Sequence, residues 1–161
     1  MLRQMEMGGA LRLLVGFVCL SLLGSGTSFA ESCGRDVFSD VFNKASSELV
    51  RMNSKRATGV KLKLKELKAL ASWSDQEFLV NASPLVKNEQ ILEFDSQSKA
   101  LLASAADFGG SGTTLSRGEC GKVDELRALL SLLIENTREK WSFMEKGISV
   151  AIANMKSTKN P

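Results

Sequence analysis

The sequence predicts an all-α fold: a small bundle of four or five helices with a long C-terminal helix, stapled by one disulfide between Cys33 and Cys120. Two observations predict the helices. Apolar residues recur every three or four positions along most of the chain after residue 35, as one buried helix face requires. The alternation typical of a strand is confined to two short stretches, which are too little for a stable sheet. The cysteine content predicts the disulfide.

The first thirty residues are expected to be a secretory signal peptide, and residues 31–161 a single helical domain. Arginines precede the apolar run of residues 13–23, and a Ser-Phe-Ala sequence then supplies the small residues of a cleavage site after Ala30. The apolar run is shorter than the roughly 18 residues that span a bilayer as a helix. We therefore expect an exported protein, periplasmic or extracellular, with a retained N-terminal anchor as the alternative.

Export would place the remaining cysteines in an oxidising compartment. Cys19 leaves with the signal peptide, so Cys33 and Cys120 form an even pair, for which a disulfide is the natural interpretation. It would close a loop of roughly ninety residues and contribute on the order of 4 kcal/mol in the chain-entropy model. Two unpaired thiols or an intermolecular bridge are the alternatives. Cys120 lies in the glycine-rich segment 109–121, which we predict to be a flexible connector.

The first helix is predicted to begin at Asp36, which can cap it, and to stop at Gly59. The next segment, GVKLKLKELKALASW at residues 59–73, alternates like a strand in its first half and has helical spacing in its second half. Because no convincing strand is available to pair with it, we predict a helix. In that helix lysines form a stripe beside the apolar residues, and Leu62 falls outside the apolar stripe.

Two helix starts are predicted next. Ser74 and Glu77 have the spacing of a capping box. Ser83 precedes a proline, which is a second start signal, for a helix whose apolar stripe covers residues 94–108. The last helix is the most regular, because its apolar residues step by three or four positions throughout residues 123–155. We expect the other helices to pack along it.

The composition excludes several kinds of chemistry. The chain has no histidine and no tyrosine, so nucleophilic catalysis through histidine and metal or haem sites built on histidine are excluded. The carboxylate pairs Glu89/Glu93 and Glu135/Glu139 have no flanking aromatic residues, and we interpret them as solvated helix faces. We therefore expect no cofactor, no metal and no catalytic residue. An enzyme that depends on these carboxylates is the weakest alternative.

The distribution of charged residues is the remaining sequence feature that bears on function. A net charge of +3 is too small to predict nucleic-acid binding. Segment 55–68 concentrates basic residues, and we predict a contact surface there. Its candidate residues are Lys55, Arg56, Lys61, Leu62, Lys65, Lys68 and Trp73.

The most natural partner for this surface is another protein, which would make the chain a non-enzymatic interaction module. An anionic membrane or polysaccharide surface is the alternative partner, because a basic amphipathic helix binds such surfaces. A homodimer through a leftover apolar face of the long helix is also open. The structural alternative is that the lysines only solvate one face of the bundle.

Overall fold

The computed structural model describes residues 35–110 and 120–159, and in those ranges it shows four helices and no strand. The helices are α1 (Arg35–Ala71), α2 (Asp75–Val86), α3 (Glu89–Gly110) and α4 (Cys120–Lys159). The predictions of an all-α fold, a helical bundle and a long C-terminal helix are confirmed. The predicted signal peptide and Cys33 lie outside the described residues, so the signal peptide and the disulfide stay predictions.

Helix α1 runs through Gly59, so the predicted stop at that residue is wrong. Glycine inside a helix costs roughly 0.5–1 kcal/mol relative to alanine. Val60 and Leu67 follow directly and are buried against α4, and burying an aliphatic side chain of this size contributes about 1.5–3 kcal/mol. Burial on the far side of the glycine therefore outweighs its local cost, and α1 continues to Ala71. The predicted helix after Gly59 is confirmed as part of α1.

Helix α1 ends in a Schellman motif. The Trp73 N–H donates to the Lys68 carbonyl and the Ser72 N–H donates to the Ala69 carbonyl, both at 3.2 Å. Ser72 takes the left-handed conformation that this motif requires, with φ of 54°. Trp73, the residue after it, packs against the core, which holds the chain in this turn and directs it into α2.

The predicted capping box starts α2. The Ser74 hydroxyl oxygen accepts the Glu77 N–H at 3.3 Å, and Glu77 Oε2 accepts the Ser74 N–H at 2.8 Å. Each residue thus satisfies a backbone donor that the helix start leaves without an intrahelical partner. The local sequence was sufficient to place this helix terminus.

The second predicted start, at Ser83, is wrong because Pro84 lies in the last turn of α2. Asn88 caps α3 instead: its Oδ1 accepts the Ile91 N–H at 3.0 Å. The Asn88 Nδ2 donates to the Pro84 carbonyl, also at 3.0 Å. One side chain therefore satisfies both the C-terminus of α2 and the N-terminus of α3.

Helix α4 is the centre of the bundle, because each of the other three helices packs against it. Three ion pairs join α1 to α4: Glu48–Arg138, Arg56–Glu145 and Glu66–Lys156. Residue numbers increase in the same direction along both helices from one pair to the next, so α1 and α4 run parallel. Helix α3 runs antiparallel to α4, since Asp95 pairs with Lys140 whereas Ala105 packs with Leu126. Helices α2 and α3 together return the chain between the two parallel helices.

Among the described residues, buried side chains form two clusters along α1 and α4. The first is completed by α3 and contains Ala45, Ala105, Leu126, Leu130 and Leu133. The second is completed by α2 and contains Val60, Leu67, Ile148 and Ile152, with Leu85 and Val86 packed against it. Helix α2 takes the place of α3 at this end of the bundle, so the second cluster is bounded by α1, α2 and α4.

Candidate functional site

The structure divides the basic side chains of segment 55–68 into two groups. One group contacts neighbouring helices: Arg56 Nη1 lies 2.7 Å from Glu145 Oε2, Lys68 pairs with Asp75, and Lys63 Nζ donates to Ser149 Oγ at 2.8 Å. These contacts join α1 to α4 and to α2. Their cations therefore serve the packing of the helices and are less able to attract a partner.

The second group is exposed. Lys55, Lys61 and Lys65 extend into solvent, and within the described ranges they form no ion pair with a carboxylate. Leu62 is 62% exposed and lies beside them on the outer side of α1. At 100° per residue, Leu62 is about 200° around the helix from the buried Val60, so it cannot reach the core. We call these four residues the basic face.

An apolar groove of about 430 Å³ lies next to the basic face, where α1, α2 and α4 meet. Nearly all of its accessible surface is apolar. Its lining residues are Ala57, Val60, Lys61, Leu64, Lys65, Phe78, Val86, Trp141 and Met144. Lys61 and Lys65 belong both to the groove and to the basic face, so their ammonium groups stand at its rim.

The aromatic residues of the groove are held in place by polar contacts. Trp141 Nε1 donates to Asn53 Oδ1 at 2.7 Å, which ties the indole of α4 to α1. Lys68 Nζ lies 5.6 Å from the ring centroid of Phe78, within the range of a cation–π contact. These two contacts orient Trp141 and Phe78 at the groove.

Helix α2 is fixed to the end of α1 by charge as well as by packing. The hydrogen bond and charge of Lys68 lower the pKa of Asp75 below its ordinary value. Hydrogen bonds from the backbone N–H and the hydroxyl of Ser74 lower the pKa of Glu77 in the same way. Both carboxylates are accordingly ionised at neutral pH: Asp75 pairs with Lys68 of α1, and Glu77 caps the start of α2.

The sequence-based surface corresponds to the groove only in part. Lys61 and Lys65 line it, and Lys68 contacts Phe78 of its wall. Lys55 and Leu62 are exposed but do not line it. The structure places Arg56 in an ion pair with α4, and Trp73 is half-buried against the second core cluster. These two residues therefore act in the packing of the bundle.

The predicted contact surface includes only Lys61 and Lys65 of the groove. The lining residues outside that prediction are Ala57, Val60, Leu64, Phe78, Val86, Trp141 and Met144. Phe78 and Val86 could have been noted as apolar residues on a helix with a capping box. Their position beside α1 depends on where α2 packs, and no local pattern encodes that. The groove is therefore a tertiary feature.

The carboxylate pairs considered for catalysis lie on solvent-exposed positions of α3 and α4. Glu93 accepts a hydrogen bond from Gln97 at 3.0 Å, and Glu135 pairs with Arg138. Among the residues that the structure describes, no group of three or more cysteine, aspartate or glutamate residues is arranged to hold a metal ion. None of the four described helices combines the length and apolar character needed to cross a membrane.

Comparison of the chain with protein-family models, with curated protein sequences and with solved structures found no match. The groove and the basic face are therefore the features of this chain that bear on its function.

Proposed function

We propose that this protein is a non-enzymatic binding module that recognises another protein through the apolar groove and the basic face of α1. The groove carries the proposal: it is apolar, the exposed Lys61 and Lys65 line one side of it, and Leu62, on the far side of these lysines, is 62% exposed. Apolar patches with polar rims are typical of interaction sites.

Binding to an anionic membrane or polysaccharide is less well supported by the arrangement of charges. Each basic residue near an anionic surface contributes about 1 kcal/mol. Arg56 and Lys68 are already paired with carboxylates and Lys63 donates to the Ser149 hydroxyl, which leaves Lys55, Lys61 and Lys65 as the exposed cations of the segment without such a contact. The adjoining groove offers apolar contact area, and a protein surface can use both features together.

Export and the disulfide belong to the same proposal. The module would act outside the cytoplasm after cleavage at Ala30, with Cys33 and Cys120 joined. Mass spectrometry of the purified, non-reduced mature protein tests both points. We expect a chain that begins at Glu31 and lacks free thiols; a retained N-terminus or a free thiol would remove the corresponding part of the proposal.

The interaction itself is tested by photo-crosslinking from position 62. A photoreactive amino acid replaces Leu62, and the protein is irradiated in its native exported fraction. The matched control carries the same amino acid in place of Leu132, which is 57% exposed on α4. We expect a discrete crosslinked protein from position 62 that is absent from position 132. Equal patterns from the two positions would contradict a specific contact surface.

A further inference from the structure

We infer that the groove binds the apolar side of an acidic amphipathic helix of the partner protein. This inference rests on the proposed function, because it names the chemistry of the partner for the same site. The groove supplies the apolar contact, and the ammonium groups of Lys61 and Lys65 supply the charge at its rim. Helix-in-groove recognition uses apolar anchors at i, i+3 or i+4, and i+7.

The dimensions of the groove agree with such a helix. On α1 its lining runs from Ala57 to Lys65, which corresponds to about 12 Å at 1.5 Å per residue. Anchors at i, i+4 and i+7 of a bound helix span about 10 Å by the same rise. A cavity of about 150 Å³ accommodates one benzene ring, so a groove of about 430 Å³ has room for two or three large apolar side chains.

The positive charges at the rim of the groove favour a partner helix with negative charges. Lys61 and Lys65 are one turn apart on α1, about 6 Å along its axis, so both can face carboxylates on one side of a bound helix. Glu66 does not neutralise them, because its carboxylate lies 2.9 Å from Lys156 Nζ. A basic helix would bring like charges together at the same rim, and such juxtaposition weakens binding. An acidic partner is therefore favoured over a neutral or basic one.

The experiment uses two synthetic helical peptides of about 18 residues, a length at which isolated helices form. Both carry leucine at i, i+4 and i+7; one has glutamate at the flanking positions and the other has lysine. Trp141 is the reporter in a Trp73→Phe background, which leaves a single tryptophan, in the groove. We expect a saturable change in Trp141 fluorescence with the acidic peptide and at least tenfold weaker binding of the basic one.

Two variants locate the binding site. Lys61→Ala with Lys65→Ala should weaken binding of the acidic peptide by roughly 2- to 30-fold, because each rim ion pair contributes 0.2–1 kcal/mol. The control is Lys99→Ala with Lys146→Ala, which makes the same change in net charge at exposed lysines outside the groove. In 1 M salt, where the Debye length is about 3 Å, the difference between the two double variants should disappear.

Filling the groove is the second test of the site. Ala57→Leu places a larger side chain in the groove and should abolish binding, whereas Ala69→Leu, at an exposed position of α1 outside the groove, should leave it unchanged. Both substitutions keep good helix formers, and circular dichroism confirms that each variant is folded. Equal loss in the two variants, or no loss in either, would overturn the assignment of the groove.

The outcomes separate this inference from the proposed function. Equal affinity for the acidic and basic peptides, or no peptide binding alongside a discrete crosslink from position 62, overturns the acidic-helix inference and leaves the protein-binding function standing. A third outcome is that the protein binds phosphatidylglycerol vesicles but neither peptide, and that Ala57→Leu abolishes the vesicle binding. That outcome overturns both the acidic-helix inference and the protein-binding function, because the groove would then bind a lipid. Preference for the acidic peptide, lost in Ala57→Leu, supports both.

Discussion

Replacing Asn136 with alanine should destabilise the bundle more than any other single change of a polar side chain in α4. Asn136 is buried between α3 and α4, where its Nδ2 donates to the Phe94 carbonyl at 2.8 Å and to Ser98 Oγ at 2.9 Å. Each such hydrogen bond contributes about 0.5–1.5 kcal/mol net, so losing both should cost about 1–3 kcal/mol. For a chain of this size, the melting temperature should fall on the order of 3–15 °C.

The measurement is urea unfolding of the purified protein, followed by far-ultraviolet circular dichroism. Asn154→Ala is the matched control, because Asn154 is an exposed residue of the same helix. It should change stability by less than about 0.5 kcal/mol. A double-mutant cycle of Asn136→Ala with Ser98→Ala should give a coupling of roughly 0.5–1 kcal/mol. If Asn136→Ala is as stable as Asn154→Ala, the reasoning from buried hydrogen bonds is refuted.

Two further predictions concern local structure. Gly147→Ala should stabilise the protein by about 0.5–1 kcal/mol in the same urea assay, since Gly147 is inside α4 and nothing lies within 4 Å of where a Cβ would stand; a destabilised variant would contradict this. Acid should weaken the attachment of α2. Ser74 lowers the pKa of Glu77 below its ordinary value of 4.5, and Lys68 lowers the pKa of Asp75 below its ordinary value of 3.8. The stability that the two ionised carboxylates contribute is therefore present above these ordinary values, and it is lost as the pH falls through their lower pKa values in the folded protein. Glu77→Gln, which retains a capping side chain, should therefore lose less stability than the parent between pH 7 and pH 3, and an equal loss would count against the assignment.

Sequence patterns predicted the helices well wherever residues close together in the chain determine the structure. The capping box of α2 needs only Ser74 and Glu77 three residues apart, so it can be seen in the sequence. The apolar stripe of α4 was visible for the same reason, because a helix with one apolar face must bury that face. The lysine–leucine segment was assigned to a helix by exclusion, since a strand at that place would have had no partner.

The wrong predictions concern places where packing outweighs a local preference. Gly59 is a helix stop in isolation, yet α1 continues because Val60 and Leu67 are buried against α4. Ser83 before Pro84 resembles a helix start, yet Asn88 caps α3 because its side chain reaches both helix ends. Asn136 was not identified as a core residue, because a polar side chain on a helix shows its burial only when its partners on another helix are known.

The sequence by itself determined the fold class, the long C-terminal helix, the position of the basic segment and the absence of histidine chemistry. These features follow from the composition and from the spacing of residues along the chain, which can be read without knowing which helices are in contact. Only the tertiary structure decided which lysines are free, because Glu145, Asp75 and Ser149 engage Arg56, Lys68 and Lys63 from other parts of the chain. It also decided that a groove exists, because its walls come from three helices whose contact depends on the parallel packing of α1 against α4.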